Sequence, residues 1–202
     1  QSQYDTNAKV NPPLRTKEDI ECLIQGLKDG VIDAIATDHA PHTLADKNCG
    51  LDLAAFGISG FETAFGCLMS LVHKGELSLA TLISKLTYEP ARIISKDGEL
   101  GNLKVGAPAN ITIFDPEQKW VVDSRKFASK GKNTPFDGYK FKGKVMATIV
   151  NGKIVYMANS LKCNCHTSSC HSEPFAFCHS EEAERPRNLL FTSFRASAQD
   201  KL

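Results

Sequence analysis

The chain has 202 residues, of which 42% are hydrophobic and 23% are charged, a composition typical of soluble globular proteins. Its 24 Lys and Arg against 23 Asp and Glu leave a formal net charge of +1, which indicates neither a nucleic-acid nor an anionic membrane partner. No stretch approaches the roughly 20 apolar residues of a membrane span. The polar start at residues 1–5 does not resemble a signal peptide, so we expect a cytoplasmic protein.

The first predicted elements are a helix and then a strand. Thr16 and Asp19 have the spacing of a capping box, and four apolar residues follow at helical spacing before Gly30. They are Ile20, Leu23, Ile24 and Leu27. This pattern predicts a helix with one buried face, and the apolar run at 31–36 predicts a buried strand. A helix followed by a strand is the alternation of a parallel α/β fold.

The segment 37–42, Thr-Asp-His-Ala-Pro-His, places chemistry-bearing side chains directly after that strand. In parallel α/β barrels, reactive residues lie at the C-terminal ends of the strands. Asp38 could bind a metal there, act as a general base, or do both. It could equally cap the next helix. His39 faces away from Asp38 if the strand alternates, which predicts a structural role. Residues 43–58 have no clear period and predict a long functional loop.

The later elements switch from helical to strand periodicity. Ser59 and Glu62 suggest a second capping box and a helix that ends at Gly75. A third helix is predicted after Ser78, and Pro90 predicts a fresh helical turn. From Leu100 the apolar period becomes 2. The predicted strands are 110–114, 119–122, and a hairpin of 145–150 with 153–156 across an Asn-Gly turn.

Three motifs in the same order resemble the last third of a dihydroorotase, a zinc enzyme of the amidohydrolase superfamily. They are the segment 37–42, Lys9-Val10-Asn11-Pro12-Pro13-Leu14-Arg15, and Phe56-Gly57-Ile58. Lys132-Asn133-Thr134-Pro135-Phe136 also resembles dihydroorotases. Residues 101–110 resemble the superfamily's return to its small β-sandwich, although an Asp is common where Asn110 stands. The resemblance covers residues 5 to 157.

This resemblance implies a fold class and its boundaries. The expected class is α/β, with the C-terminal part of a (β/α)₈ TIM-like metallo-hydrolase barrel at 1–99. Part of a small β-sandwich is expected at 100–158. The segment 159–202 does not resemble the family, and its composition predicts disorder.

The resemblance also implies an activity and a site. Dihydroorotases reversibly cyclise N-carbamoyl-L-aspartate to dihydroorotate in pyrimidine biosynthesis, with a hydroxide held by two zinc ions. Asp38 would be a zinc ligand and the catalytic proton carrier. Asn11, His42, Phe56 and Gly57 would bind the substrate, His42 through its carboxylate and the last two through backbone groups. Ala55 stands where a proline is common.

Structural roles that involve no substrate remain open for three residues. His42 could be a loop histidine bonded to backbone, and Asn11 could be a turn residue before Pro12. Arg15 could meet a substrate carboxylate, although an ion pair or a helix-start role is favoured.

The chain is too short to form a complete barrel, which needs roughly 250 residues. Family members bring a His-x-His pair and further ligands upstream of the position of Asn11, and residues 1–158 contain no such pair. We therefore expect a C-terminal fragment of a longer enzyme, inactive alone. The expected partner is a small-molecule substrate, with a possible homodimer or aspartate transcarbamoylase association.

Two other functions compete with dihydroorotase. An allantoinase or hydantoinase would share the zinc chemistry, but the motifs around Asn11 and Asn133 favour dihydroorotase. A non-catalytic scaffold for aspartate transcarbamoylase is disfavoured by the presence of Asp38.

The seven cysteines divide into two groups. Cys22, Cys49 and Cys67 form no close pair and are predicted to be reduced thiols. The other four lie beside three histidines in the last 40 residues: Cys163, Cys165, Cys170 and Cys178, with His166, His171 and His179. Zinc binding there is the alternative to disorder, but paired CxxC motifs are missing.

Overall fold

The computed structural model describes residues 5–161 and the backbone of a short strand at Leu190–Thr192. Five helices are present in this part: α1 Lys17–Lys28, α2 Leu44–Lys47, α3 Phe61–His73, α4 Leu79–Leu86 and α5 Tyr88–Ile93. The strands are β1 Ile111–Val121, β2 Lys140–Val150, β3 Lys153–Met157 and β4 Leu190–Thr192. Short 3₁₀ segments lie at Thr6–Ala8, Ser124–Lys126 and Asn159–Leu161. The cysteine and histidine cluster of residues 163–179 lies outside the described residues.

The four strands form one antiparallel sheet in the order β3-β2-β1-β4. The predicted hairpin is confirmed, with Val150 opposite Lys153 and left-handed backbone at the Asn-Gly turn. The two strands predicted at 110–114 and 119–122 are one strand, β1, which pairs with β2 from Ile111 to Val121 through register shifts. The bulges explain the interrupted pattern in the sequence.

Helix α1 begins as predicted, but its apolar face is only partly buried. Thr16 Oγ1 accepts a hydrogen bond from the Asp19 backbone N–H, and the Asp19 carboxylate accepts one from Thr16. Leu27 is buried, whereas Ile20 is 47% exposed and Leu23 is 52% exposed. No element among the described residues covers these two side chains, so the prediction of a buried face is wrong along most of α1.

The strand predicted at residues 31–36 does not form in this structure. The segment is irregular, and Val31 is 78% exposed. A parallel strand needs neighbours on the sheet, and within 5–161 the nearby pairing is a single parallel bridge between His39 and Ile58. The Ile35 N–H donates to the Lys85 carbonyl at 3.1 Å, which ties the segment to α4.

The core joins the helices to the sheet through α3. Leu27, Met69, Leu77 and Leu82 form a buried cluster between α1, α3 and α4. Helix α3 also lies on the sheet, where the ring centroids of Phe65 and the fully buried Phe114 are 4.7 Å apart. This packing fixes the loops before α3 relative to the strands.

Helix α3 does not begin with the predicted capping box. Its N-cap is Gly60, which makes no side-chain cap. The one hydroxyl hydrogen of Ser59 is instead shared between the Gly131 carbonyl and Asn133 Oδ1, and the Glu62 carboxylate accepts two hydrogen bonds from Ser129. Long-range partners thus replace the local ones, because both side chains lie against the 129–133 loop.

Three smaller findings complete the description. Helix α2 lies inside the predicted loop 43–58 and begins with a capping box of Thr43 and Asp46. Cys22, Cys49 and Cys67 are free thiols, as predicted. No helix of the described part of the chain is long and apolar enough to cross a membrane.

Candidate active site

Asp38 occupies an exposed position with a left-handed backbone, φ +46°. Asp tolerates this conformation better than most residues. Two residues later, the Ala40 N–H donates to the Ile58 carbonyl at 2.9 Å, which holds the 37–42 segment beside the loop before α3. The next helix has Thr43 as its N-cap, so Asp38 is not a helix cap.

The His39 side chain contacts the first residues of α3. Its ring stacks on Phe61 with centroids 3.8 Å apart, and its Nδ1 accepts hydrogen bonds from the backbone N–H groups of Gly60 and Phe61. Burial lowers the pKa of His39, and the nearby Glu62 carboxylate opposes this effect. The predicted structural role of His39 is confirmed by these contacts.

His42 lies against the loop that carries Phe56 and Gly57. Its Nε2 is 2.9 Å from the Phe56 carbonyl oxygen, and its backbone N–H donates to Asn133 Oδ1 at 2.8 Å. A carbonyl only accepts, so Nε2 carries the proton of the neutral ring. Nδ1 then offers only a lone pair. A hydrogen bond from the ring to a carboxylate therefore requires either a doubly protonated ring or loss of the hydrogen bond to the Phe56 carbonyl. The backbone bond expected of a loop histidine is therefore present.

The segment around Asn11 reaches the same loop through Lys9. The Gly57 N–H donates to the Lys9 carbonyl at 2.9 Å, and the Lys9 ammonium lies 4.3 Å from the centre of the Phe56 ring. Asn11 is exposed and precedes Pro12 across a cis peptide bond. Phe56 is 54% exposed, so its ring remains accessible beside Lys9.

Gly57 stands where a larger residue would not fit. Its φ is +140°, and a Cβ there would lie 2.5 Å from the Ala40 Cβ and 3.0 Å from His42 Nε2. The glycine permits this close approach of the loop to the 40–42 segment. The structure thus brings together His42, Phe56, Gly57 and the segment preceding Asn11.

Arg15 is part of α1's start and not of this cluster. Its Nε donates to the Asp19 carboxylate at 3.1 Å, an exposed ion pair at i,i+4 spacing. The ion-pair interpretation favoured from the sequence is confirmed.

Two buried polar residues were missed as site components. Lys47 is 1% exposed and Asn133 is 3% exposed, and both bind backbone groups of the loop 55–57. Asn133 belongs to a motif that the sequence analysis singled out, which was a usable signal. A lysine in a polar stretch of sequence, as at Lys47, gives no such signal, because lysines are mostly exposed.

The residues present do not by themselves fit a two-metal centre. Within the described residues, no group of three or more His, Cys, Asp or Glu side chains could hold a metal ion. Asp38 therefore belongs to no such group, and a metal bound by it would need ligands from outside the described residues.

Comparison with known proteins identifies relatives of most of the chain. Residues 6–155 match the model of the amidohydrolase family. The chain is 56% identical over 154 residues to a dihydroorotase of Thermoanaerobacter sp. (strain X514), covering 76% of this chain and 35% of that protein. It is 54% identical over 157 residues to a dihydroorotase of Caldanaerobacter subterraneus subsp. tengcongensis, covering 77% of this chain and 36% of the relative. The chain thus spans about a third of the length of the curated relatives it matches.

Solved structures agree on the fold. The L-hydantoinase of Arthrobacter aurescens superposes with a TM-score of 0.69 at 33% identity, covering 74% of this chain and 34% of that structure. The D-hydantoinase of Thermus sp. superposes with a TM-score of 0.68 at 22% identity, which supports the fold alone, and covers 75% of this chain and 34% of that one. The predicted class, part of an amidohydrolase barrel with part of a β-sandwich, is confirmed, and the chain belongs to the amidohydrolase family.

Proposed function

We propose that this chain is the C-terminal part of a dihydroorotase, which reversibly cyclises N-carbamoyl-L-aspartate to dihydroorotate. The observation that carries the proposal is the identity of 48–56% to several proteins named dihydroorotase, each over about three quarters of this chain. The amidohydrolase family match at residues 6–155 includes the 37–42 and 55–57 segments. The hydantoinase alternative is less well supported, since the hydantoinase given above reaches 33% identity.

In this proposal Asp38 is the catalytic residue that moves the proton. Its carboxylate is exposed at the start of the 38–42 segment and is free to accept a proton from the attacking oxygen and to deliver it to the amide nitrogen. Zinc ions, when bound with ligands beyond the described residues, would supply an activated water and polarise the amide carbonyl. Zinc, the number of ions and a cytoplasmic location remain predictions, as do a homodimer and an aspartate transcarbamoylase partner.

Four residues would position the substrate. Asn11 and His42 would contact its polar groups, and Phe56 and Gly57 would border the pyrimidine ring. Because His42 Nε2 donates to the Phe56 carbonyl, the ring contacts a carboxylate through Nδ1 only when Nδ1 also carries a proton. The proposed carboxylate contact is thus tied to protonation of His42.

A chimera tests the proposal. The matched segment of the Thermoanaerobacter dihydroorotase is replaced by residues 5–157 of this chain, and turnover of dihydroorotate is measured against turnover of hydantoin. We expect dihydroorotate to be the preferred substrate. We expect Asp38→Asn to lower kcat by at least about 10²-fold while substrate binding persists, since the amide keeps the shape but cannot carry the proton.

The proposal is wrong if a folded chimera prefers hydantoin or turns over neither substrate. Asp115→Asn is the matched control, because Asp115 is a carboxylate on β1 that, among the described residues, accepts hydrogen bonds only from the adjacent turn at Glu117 and Gln118. If Asp38→Asn had the same kcat as the unsubstituted chimera, Asp38 would not be the residue that transfers the proton.

A further inference from the structure

Lys47 is a buried cation whose partners are backbone carbonyls. Its side chain is 1% exposed, and its ammonium donates to the carbonyls of Ala55 at 2.7 Å and Gly57 at 3.0 Å. The Lys9 carbonyl lies at 3.5 Å, at the limit of a hydrogen bond. Burial lowers the pKa of Lys47, and nearby Asp5 opposes this effect. A buried ammonium requires such oxygens, because without them it would lose its hydration uncompensated.

Asn133 holds the same loop from the side of the sheet. Its amide N–H₂ donates to the carbonyls of Ala40 and Gly57, both at 3.1 Å. Its carbonyl oxygen accepts from the His42 N–H and from Ser59 Oγ, both at 2.8 Å. All four hydrogen-bonding positions of the amide are therefore used, which fixes its orientation.

Three consecutive carbonyls of the loop 55–57 are thus held by three side chains. Ala55 is bound by Lys47, Phe56 by the His42 ring, and Gly57 by both Lys47 and Asn133. Lys47 holds the carbonyls on both sides of Phe56, so it determines where the Phe56 oxygen lies. That oxygen in turn requires the proton of His42 to be on Nε2.

We propose that Lys47 is a positioning residue that, by holding the carbonyls of Ala55 and Gly57, presents the Phe56 carbonyl to His42 and keeps the His42 ring in its Nε2–H tautomer. The consequence for catalysis rests on the proposed function: the His42 ring keeps its bond to the Phe56 carbonyl through Nε2, and Nδ1 contacts the substrate carboxylate once Nδ1 also carries a proton. The effect on the loop and on the ring is independent of any activity and can be measured in the 202-residue chain.

The test is nitrogen-15 NMR of the histidine rings and hydrogen exchange of the Gly57 amide, with the His42 signals assigned by their loss in His42→Asn. In the unmodified chain we expect His42 as the Nε2–H tautomer. Lys47→Met keeps a side chain of similar length but removes the charge and the donors. We expect this variant to show mixed His42 tautomers and at least about tenfold faster exchange at Gly57, because charged hydrogen bonds are lost.

Lys85→Met is the matched control, since Lys85 is a second buried lysine, lies in α4 and takes no part in this network. It should leave both signals unchanged. An Nδ1–H tautomer in the unmodified chain overturns the proposal, as does a folded Lys47→Met with unchanged tautomer and exchange. The proposed function would survive either result, because neither measurement involves turnover.

Gly57→Ala is a second variant, which tests the proposal if Lys47→Met does not fold. In Gly57→Ala, Lys47 is intact but the added methyl group would meet Ala40 and His42 Nε2, so the loop must shift away from His42. Loss of the single tautomer in this variant supports the proposal. A folded Gly57→Ala that retains it shows that the position of the loop does not control His42, and overturns the proposal.

Discussion

Individual side chains in this chain act mainly by binding backbone groups of distant segments. His39, Lys47 and Asn133 each contact loops at least eight residues away, and none of these contacts follows from local sequence. Asp38 differs, because it is exposed directly before the bridge between His39 and Ile58, which fixes the adjacent backbone. The residues around the candidate site are therefore held by buried donors and acceptors, while the proposed proton carrier stays accessible.

At this scale we predict that His39 makes the chain less stable in weak acid. Burial lowers its pKa below the ordinary value of 6.5. Above that value the ring is neutral in both the folded and the unfolded chain. As the pH falls through it, the unfolded chain binds a proton before the folded one does, so stability falls until the lowered pKa is reached. Protonated Nδ1 also cannot accept from Gly60 and Phe61.

His39→Asn tests this prediction, because an amide oxygen still accepts from the helix N-terminus but does not titrate. Urea unfolding at about pH 7.5 and about pH 5.5 should show a smaller loss of stability in the variant than in the unmodified chain. All residues other than 39 are the same in both proteins, so their contributions cancel in the difference. Equal losses would show that His39 does not contribute.

At the scale of elements, the packing of α3 on the sheet depends on close backbone approach. Gly66 is buried in α3, where an added Cβ would lie 2.9 Å from a ring carbon of Trp120 and 3.1 Å from the Phe141 Cβ. The Trp120 ring cannot easily yield, because its Nε1 donates to the Gly143 carbonyl at 2.9 Å. On the facing strand Gly143 leaves room for Met69.

We predict that Gly66→Ala destabilises the chain. Alanine gains about 1 kcal/mol of helix propensity, but overpacking a tight core costs about 1–3 kcal/mol. Because the neighbouring atoms lie nearer than ordinary contact distance, we expect the overpacking cost to exceed the gain in helix propensity. Urea unfolding should then show a free energy of unfolding lowered by about 1 kcal/mol. Gly98→Ala is the control, since no atom lies within 4 Å of its added Cβ and its φ is not left-handed. A Gly66→Ala chain as stable as the control would contradict this account.

The sequence predicted those elements whose signals are local. The capping box of α1, the helix after Ser78 and the Asn-Gly hairpin formed because the residues that define them are neighbours in the chain. Helix α2 carried the same capping signal within a segment predicted as a loop. The Ser59 and Glu62 pattern was misleading, because both side chains found better partners in the 129–133 loop.

At the scale of the whole molecule, the errors of prediction share one cause. The strand at 31–36 and the buried face of α1 were inferred from apolar patterns that assume a complete set of neighbours. In this structure those patterns end at an open surface with Ile20, Leu23 and Val31 exposed. The domain boundaries, the site roles and the disorder assigned to 159–202 remain predictions. Of that last segment, 159–161 is helical and 190–192 forms a strand.

The final prediction concerns that open surface and rests on the proposed function. The relatives named above are about three times as long as the part this chain matches, and helices of a barrel pack against its strands. We therefore expect the α1 face to contact the remainder of a dihydroorotase barrel. Leu23→Asp should barely alter the stability of the chain alone, because the side chain is 52% exposed.

The same substitution should weaken binding to a Thermoanaerobacter dihydroorotase that lacks the matched segment by at least about tenfold, because it would bury an unpaired charge in the interface. Sedimentation of the mixed polypeptides gives the dissociation constant. Val105→Asp is the matched control, since Val105 is fully exposed in the turn before β1 and should not affect binding. If Leu23→Asp and Val105→Asp bound equally well, the apolar face of α1 would not be the surface that joins this chain to the rest of the barrel.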